Sequence, residues 1–386
     1  MNFSRFTTSR ELAASRRDFL RSAIGMLSAT SARSGLALPL ASIRPAEKTI
    51  VVTFGGGARD EETFAEEGQE NIPNLLNTLL PQGTFFPQVR NAGILGHYVA
   101  TASIVTGVYE RFNNFVAQPP PNPTLFEYFR RELRRPLTDA WVIAPSNGFQ
   151  KIGCSSNSGF GARFGAGVIL PKRLLSAARA SMPNQTDQLQ YLLQDNYEMP
   201  EYEVRSSSQE REMHLDTLES TLRLSVDDFV KRARTLDSAD ELSLFIMRRL
   251  MDQHAPSLMM LTLHDMDVAH SGAYSLYIDA IRRADRLCAE LWQAVQSHPE
   301  YKNRTTVYFM PDFGRDADDD PAGNGFQHHR TGSDMARTTW LLALGPHVRQ
   351  NAVVERPIES IDLVPTIGKH LGFDAKTPGR YIEELR

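Results

Sequence analysis

Uninterrupted runs of β-branched, aromatic and long aliphatic residues recur along the chain, each closed by small or polar residues. The first, Thr49-Ile50-Val51-Val52-Thr53-Phe54, runs into Gly55-Gly56-Gly57. Continuous rather than alternating hydrophobicity predicts a strand buried on both faces, as in a parallel sheet covered by helices. Residues 140–144, 258–263, 305–310 and 339–344 repeat the pattern, and 87–91 predicts another extended piece. Between these runs the period changes to that of helices: 71–76 starts a short one, 100–109 ends at Gly107, and 226–254 and 274–296 are longer. After the stiff connector Gln118-Pro119-Pro120-Pro121-Asn122-Pro123, Thr124 stands as N-cap of an amphipathic helix. Strands alternating with helices predict a three-layer α/β fold, a mainly parallel sheet with helices on both faces. Residues 170–223 are polar and irregular and are expected as an insertion or cap.

Composition narrows the class. With 386 residues, 41% hydrophobic, 9% aromatic and 23% charged, the chain is neither disordered nor a polytopic membrane protein. A net charge of −4 gives no support for a nucleic-acid partner, whose phosphates would have to be neutralised. Charge is unevenly spread. Residues 1–46 hold seven arginines against Glu11 and Asp18, a balance of +5 that leaves the remainder at −9. Within that leader, Ser15-Arg16-Arg17-Asp18-Phe19-Leu20 precedes a weakly apolar stretch broken by Arg33. It resembles a bacterial twin-arginine export signal. The resemblance implies a mature chain starting near residue 40–48, periplasmic or otherwise extracytoplasmic, folded before export and without a transmembrane anchor. Residues 1–46 are thus expected as signal and linker, and 47–386 as the α/β domain. Cys154 and Cys288, the two cysteines, are too few and too far apart for a disulfide framework or a cysteine zinc site.

Ionisable residues crowd behind the predicted strands: Arg59 and Asp60 after the first, His264-Asp265-Met266-Asp267-Val268-Ala269-His270 after the fourth, and Asp312-Phe313-Gly314-Arg315-Asp316 after the fifth, with His328-His329 following. Ligands bind outside the carboxyl ends of strands in open α/β sheets. An Asp, His, His set there offers donors suited to a divalent metal, zinc first, with manganese or calcium as alternatives. Asp316 to Asp320 is expected as a solvated acidic run.

The order of these pieces resembles the alkaline phosphatase, sulfatase and phosphodiesterase superfamily. The likeness spans most of residues 49–373 and includes the glycine turn with Arg59, Asn71-Ile72-Pro73-Asn74-Leu75, Ser103-Ile104-Val105-Thr106-Gly107, Pro123-Thr124-Leu125-Phe126-Glu127, Asp267 and His270, Asp312-x-Gly-Arg315, His328-His329 and Ile361-Asp362-Leu363-Val364-Pro365-Thr366. It implies a first metal on Asp267, His270 and His329, with Asp265 and His328 as competing ligands. Arg59 and Arg315 then line a pocket for a phosphate or sulfate. The family's second metal site departs: Gly56 replaces the turn aspartate, Phe313 replaces a histidine, and only Asp312 is kept. His97 falls at the nucleophile position, with Thr101 and Ser103 just beyond. The resemblance implies an ester hydrolase acting on a small-molecule or polymeric substrate through a reduced site, with metal-activated water or His97 as covalent acceptor. Two alternatives are a non-catalytic binding protein of the cell envelope and a phosphate-transferring mutase.

Overall fold

The computed structural model describes residues 48–145, 147–182, 187–193, 207–318 and 323–385. The expected export leader, parts of 170–223, and Asp319 and Asp320 lie outside them. Among the described residues, nine strands form one sheet: β1 (Lys48–Phe54), β2 (Gly83–Arg90), β3 (Ala140–Ile143), β4 (Gly167–Ile169), β5 (Leu258–Leu263), β6 (Thr305–Pro311), β7 (Thr338–Leu344), β8 (Ala352–Val353) and β9 (Ile358–Glu359). Their order is β4-β3-β5-β1-β6-β7-β2-β8, with β9 also on β2. The segment from β4 to β6 is parallel throughout, whereas β7 is antiparallel to both β6 and β2. Every residue of β1 is buried, as its unbroken hydrophobicity requires at the sheet's centre.

Alternate residues of the central strands serve opposite cores. Ile50, Val52 and Phe54 join Leu261, Leu263, Val307 and Phe309 on one face. Val51 joins Leu258, Met260, Tyr308 and Met310 on the other. Helices α1 (His97–Thr106), α2 (Leu125–Glu132) and α5 (Leu363–Leu371) cover the second face through Ile104, Val105, Phe126, Phe129, Val364 and Ile367. Helices α3 (Ala239–His254) and α4 (Tyr274–Ser297) cover the first through Leu242, Ile246, Leu250, Ile281, Leu287 and Leu291. Three layers result, with the sheet between them.

Local sequence accounts for the helix ends. Thr124 and Glu127 form a reciprocal capping box at α2, and Gly107 closes α1 at φ +69°, a left-handed conformation that glycine adopts without strain. The 226–254 run, expected as continuous, is two helices, because Ser238 accepts from the Glu241 N–H and opens a second N-terminus for α3. Within the expected cap, Leu174, Leu175, Ala178, Leu189, Leu192 and Leu218 pack into the same core as α3 and α4. Among the described residues, no helix is long and apolar enough to cross a membrane.

Candidate metal centre

Three adjacent strands, β5, β1 and β6, deliver their carboxyl ends to one place. β1 ends in the glycine turn, β5 in a 3-10 turn over Asp265–Ser271, and β6 in Asp312. The first residue of α1, His97, comes from the opposite face of the sheet. His97, Asp267, His270 and His329 each offer one donor atom, and these four atoms all lie within 4.8 Å of one another.

Two of the donors, His97 and Asp267, are buried, and His270 and His329 are half-buried. His97 and Asp267 are each 3% exposed, and Asp312 is fully buried. Nδ1 of His97 bonds Oδ2 of Asp312 at 2.7 Å, while its Nε2 lies 2.9 Å from Oδ1 of Asp267, off the line of a hydrogen bond. Nε2 of His270 is 3.3 Å from the same Oδ1 and 2.9 Å from Nε2 of His329. Two imidazole nitrogens facing each other at that distance require a proton or a cation between them. His329 donates its Nδ1–H to the Leu95 carbonyl at 2.7 Å, which leaves Nε2 as the acceptor or ligand nitrogen. Nε2 of His97 is buried without a hydrogen-bond partner and faces the other donors, a costly condition that a metal ion at this cluster would relieve. Three imidazoles and a carboxylate fit a divalent cation of the zinc type.

Without metal, the charges are arranged as follows. Burial alone lowers the His97 pKa, but the facing carboxylates of Asp267 and Asp312 outweigh it and the group is pushed up to about 9. Burial raises Asp267, yet His97 and His270 carry it well below the usual carboxylate range. His329 is pushed down to about 2, first by burial and then by the positive charges of His97 and Arg315.

The other expected site residues fall elsewhere. Asp265 pairs with Arg283 at 3.2 Å and stands outside the cluster, as does half-buried His328. Asp312 acts on His97 instead of joining the four donors. Thr101, one turn along α1 from His97, is buried with its hydroxyl unpartnered, and the Ser103 hydroxyl donates to Val99 O. The two arginines expected to line an anion pocket have their donors engaged within the protein. Arg59 is held by Glu62, the Asp316 carbonyl and Asp318. Arg315, with no exposed surface, donates to the Gly56 and Phe326 carbonyls and lies 3.4 Å from Asp267. Asp316 is not solvated as expected: it is 4% exposed and accepts the Arg330 N–H.

Several contributors carried no signal in the sequence. Asp240, on the first turn of α3, accepts the N–H groups of His264 and Asp265 at 2.7 and 3.0 Å and so fixes the turn that bears Asp267. Asn114 accepts from the N–H groups of Tyr98 and Val99, filling the N-terminus of α1. Phe313 stacks on the His97 ring at 4.7 Å and 24°. These partners are far apart in the chain, and neither Asp240 nor Asn114 belongs to a motif.

No protein-family model and no curated protein matches the sequence. Solved structures do match. A variant of the alkaline phosphatase PafA superposes with a TM-score of 0.52 at 10% identity, covering 90% of this chain and 99% of that one. Phosphonate monoester hydrolase from Silicibacter pomeroyi gives 0.52 at 14% identity over 86% of this chain and 75% of that one. A protein of the alkaline phosphatase superfamily from Vibrio parahaemolyticus gives 0.50 at 15% identity over 95% and 77%. At such identities the likeness is one of fold: this chain has the three-layer α/β fold of alkaline phosphatase-like proteins.

Proposed function

We propose that the protein is an exported metallohydrolase of phosphate or sulfate esters, working with a single divalent metal ion held by Asp267, His270 and His329. One observation carries the reading: His97 Nε2 and His270 Nε2 lie 2.9 and 3.3 Å from Oδ1 of Asp267, His329 Nε2 lies 2.9 Å from His270 Nε2, and the buried Nε2 of His97 has no aligned hydrogen bond. The fold neighbours include an alkaline phosphatase and a phosphonate monoester hydrolase, which supports ester cleavage at this position of the fold. Zinc suits the nitrogen-rich set better than manganese or calcium. When bound, such an ion supplies Lewis acidity toward an ester oxygen. Gly56 and Phe313 offer no side-chain donor where the family's second ion takes its ligands, so a two-metal clamp has no counterpart. The chain's own residues hold the rest of the site in place. Arg315 ties the Gly56 turn to Asp267, and Asp240 fixes the turn carrying Asp267 and His270. The arginine leader supports export by the twin-arginine route.

The test is metal analysis of the full-length protein recovered from an exporting host, with assays on aryl phosphate monoesters, phosphodiesters and aryl sulfates. About one equivalent of metal, and loss of both metal and turnover in His270→Ala, is the expected result. Absence of stoichiometric metal, or full turnover in that variant, refutes the reading.

A further inference from the structure

We infer that His97 is a metal ligand turned onto the ion by Asp312, and not a nucleophile, so that the site presents three imidazoles and one carboxylate. This rests on the one-metal reading above and adds a ligand to it. The Asp312 carboxylate is itself fixed, because its Oδ1 accepts the Phe313 N–H at 3.0 Å while Oδ2 holds Nδ1 of His97. A ring bound to a carboxylate through Nδ1 directs its Nε2 inward, the arrangement that commonly orients histidine ligands. His329 is built in the same way, with Nδ1 on a carbonyl and Nε2 inward. Nε2 of His97 has no aligned hydrogen bond and lies within the span of the other donors.

A nucleophile makes different demands. It needs an open line of approach and a seat for the group that it attacks. His97 is 3% exposed, and Phe313 covers one face of its ring. A helix N-terminus is a natural anion seat, but the N–H groups of Tyr98 and Val99 at the start of α1 are already taken by Asn114. His97 presents an inward Nε2 oriented by a carboxylate, as a ligand requires, and lacks the open approach and the anion seat that a nucleophile requires. The attacking group in ester cleavage then comes from solvent.

Zinc-loaded full-length protein tests this through X-ray absorption, which counts coordinated imidazoles, and through titration of the chelated protein with zinc. The expected result is three imidazoles in the wild type, two in His97→Ala with zinc affinity down at least tenfold, and three retained in Asp312→Asn with affinity down about 10–100-fold. In the cobalt-substituted protein, the visible bands altered by His97→Ala return with added imidazole. That recovery, with unchanged circular dichroism in His97→Ala and His97→Gln, separates ligand loss from misfolding. Two imidazoles in the wild type, or wild-type zinc affinity in both His97 variants, overturns the inference and leaves the one-metal reading standing. Failure of the wild type to bind zinc, or any other divalent metal, stoichiometrically overturns both.

Discussion

Raising the pH on chelated protein exposes the electrostatics of the empty cluster in a single measurement. His97 is pushed up to about 9, against an ordinary value of 6.5, because it lies between Asp267 and Asp312. A raised pKa means that the folded state binds the proton more tightly than the unfolded chain does. The stabilisation is fully present below about pH 6.5 and is lost as the pH climbs through 9. At ~1.36 kcal/mol per unit, the shift amounts to about 3 kcal/mol. A domain of this size loses roughly 2 °C of melting temperature per kcal/mol, so the fall between pH 6.5 and 10 is about 6 °C. Other groups titrate in the same window, so the informative quantity is the difference from His97→Gln, whose uncharged amide has no such slope. Melting curves of both proteins in excess chelator, at half-unit steps of pH, provide it. If the two curves fall in parallel, or the wild type gains stability with pH, the account of His97 as a cation held by two carboxylates is wrong. Saturating zinc reverses the trend, since its ligands bind in their deprotonated forms and affinity rises with pH.

Acid acts through a different residue. His329 is pushed down to about 2, so its contribution is present above 6.5 and is lost as the pH falls below that value. Between pH 6.5 and 5.5 the chelated protein loses about 1 kcal/mol more than a His329→Asn variant, measured by urea denaturation; equal losses contradict the assignment. Gly56→Asp, which puts a carboxylate in the glycine turn, does not create a further metal site. A Cβ at Gly56 falls inside contact distance of the Asp267 N–H and 2.7 Å from the Met266 carbonyl carbon, so the variant loses at least 1–3 kcal/mol and binds no more than one zinc. Two bound zinc ions in a stable Gly56→Asp protein contradict this. Glu127 is fully buried and accepts from Thr124 N–H, Ser155 N–H and the Ser155 hydroxyl. Glu127→Ala strands these donors and costs about 3 kcal/mol in denaturant titrations, whereas a loss under 1 kcal/mol contradicts the count of bonds.

How much of the fold is legible in the chain varies with distance along it. β1, β5, β6 and β7 were visible because strands at a sheet's centre have no solvent face, and their hydrophobicity is therefore continuous. The capping box at Thr124 and the closure of α1 at Gly107 are equally local, since each is a hydrogen-bond pattern completed within four residues. β4, β8 and β9, at two or three residues each, are too short to show a period, and the antiparallel course of β7 depends on the path of the chain outside the strand itself. Asp267, His270 and His329 were readable as donors because strand ends in such sheets carry ligands. The sequence alone determined the layers and the central strands, and pointed to three of the four clustered donors. Only the tertiary structure decided what surrounds them. It placed His97 against Asp312, 215 residues away, set Arg59 on the Asp316 carbonyl and seated Arg315 on the Gly56 carbonyl. Side-chain charge and orientation at this site are set by contacts between remote segments, and no local pattern records which segments those will be.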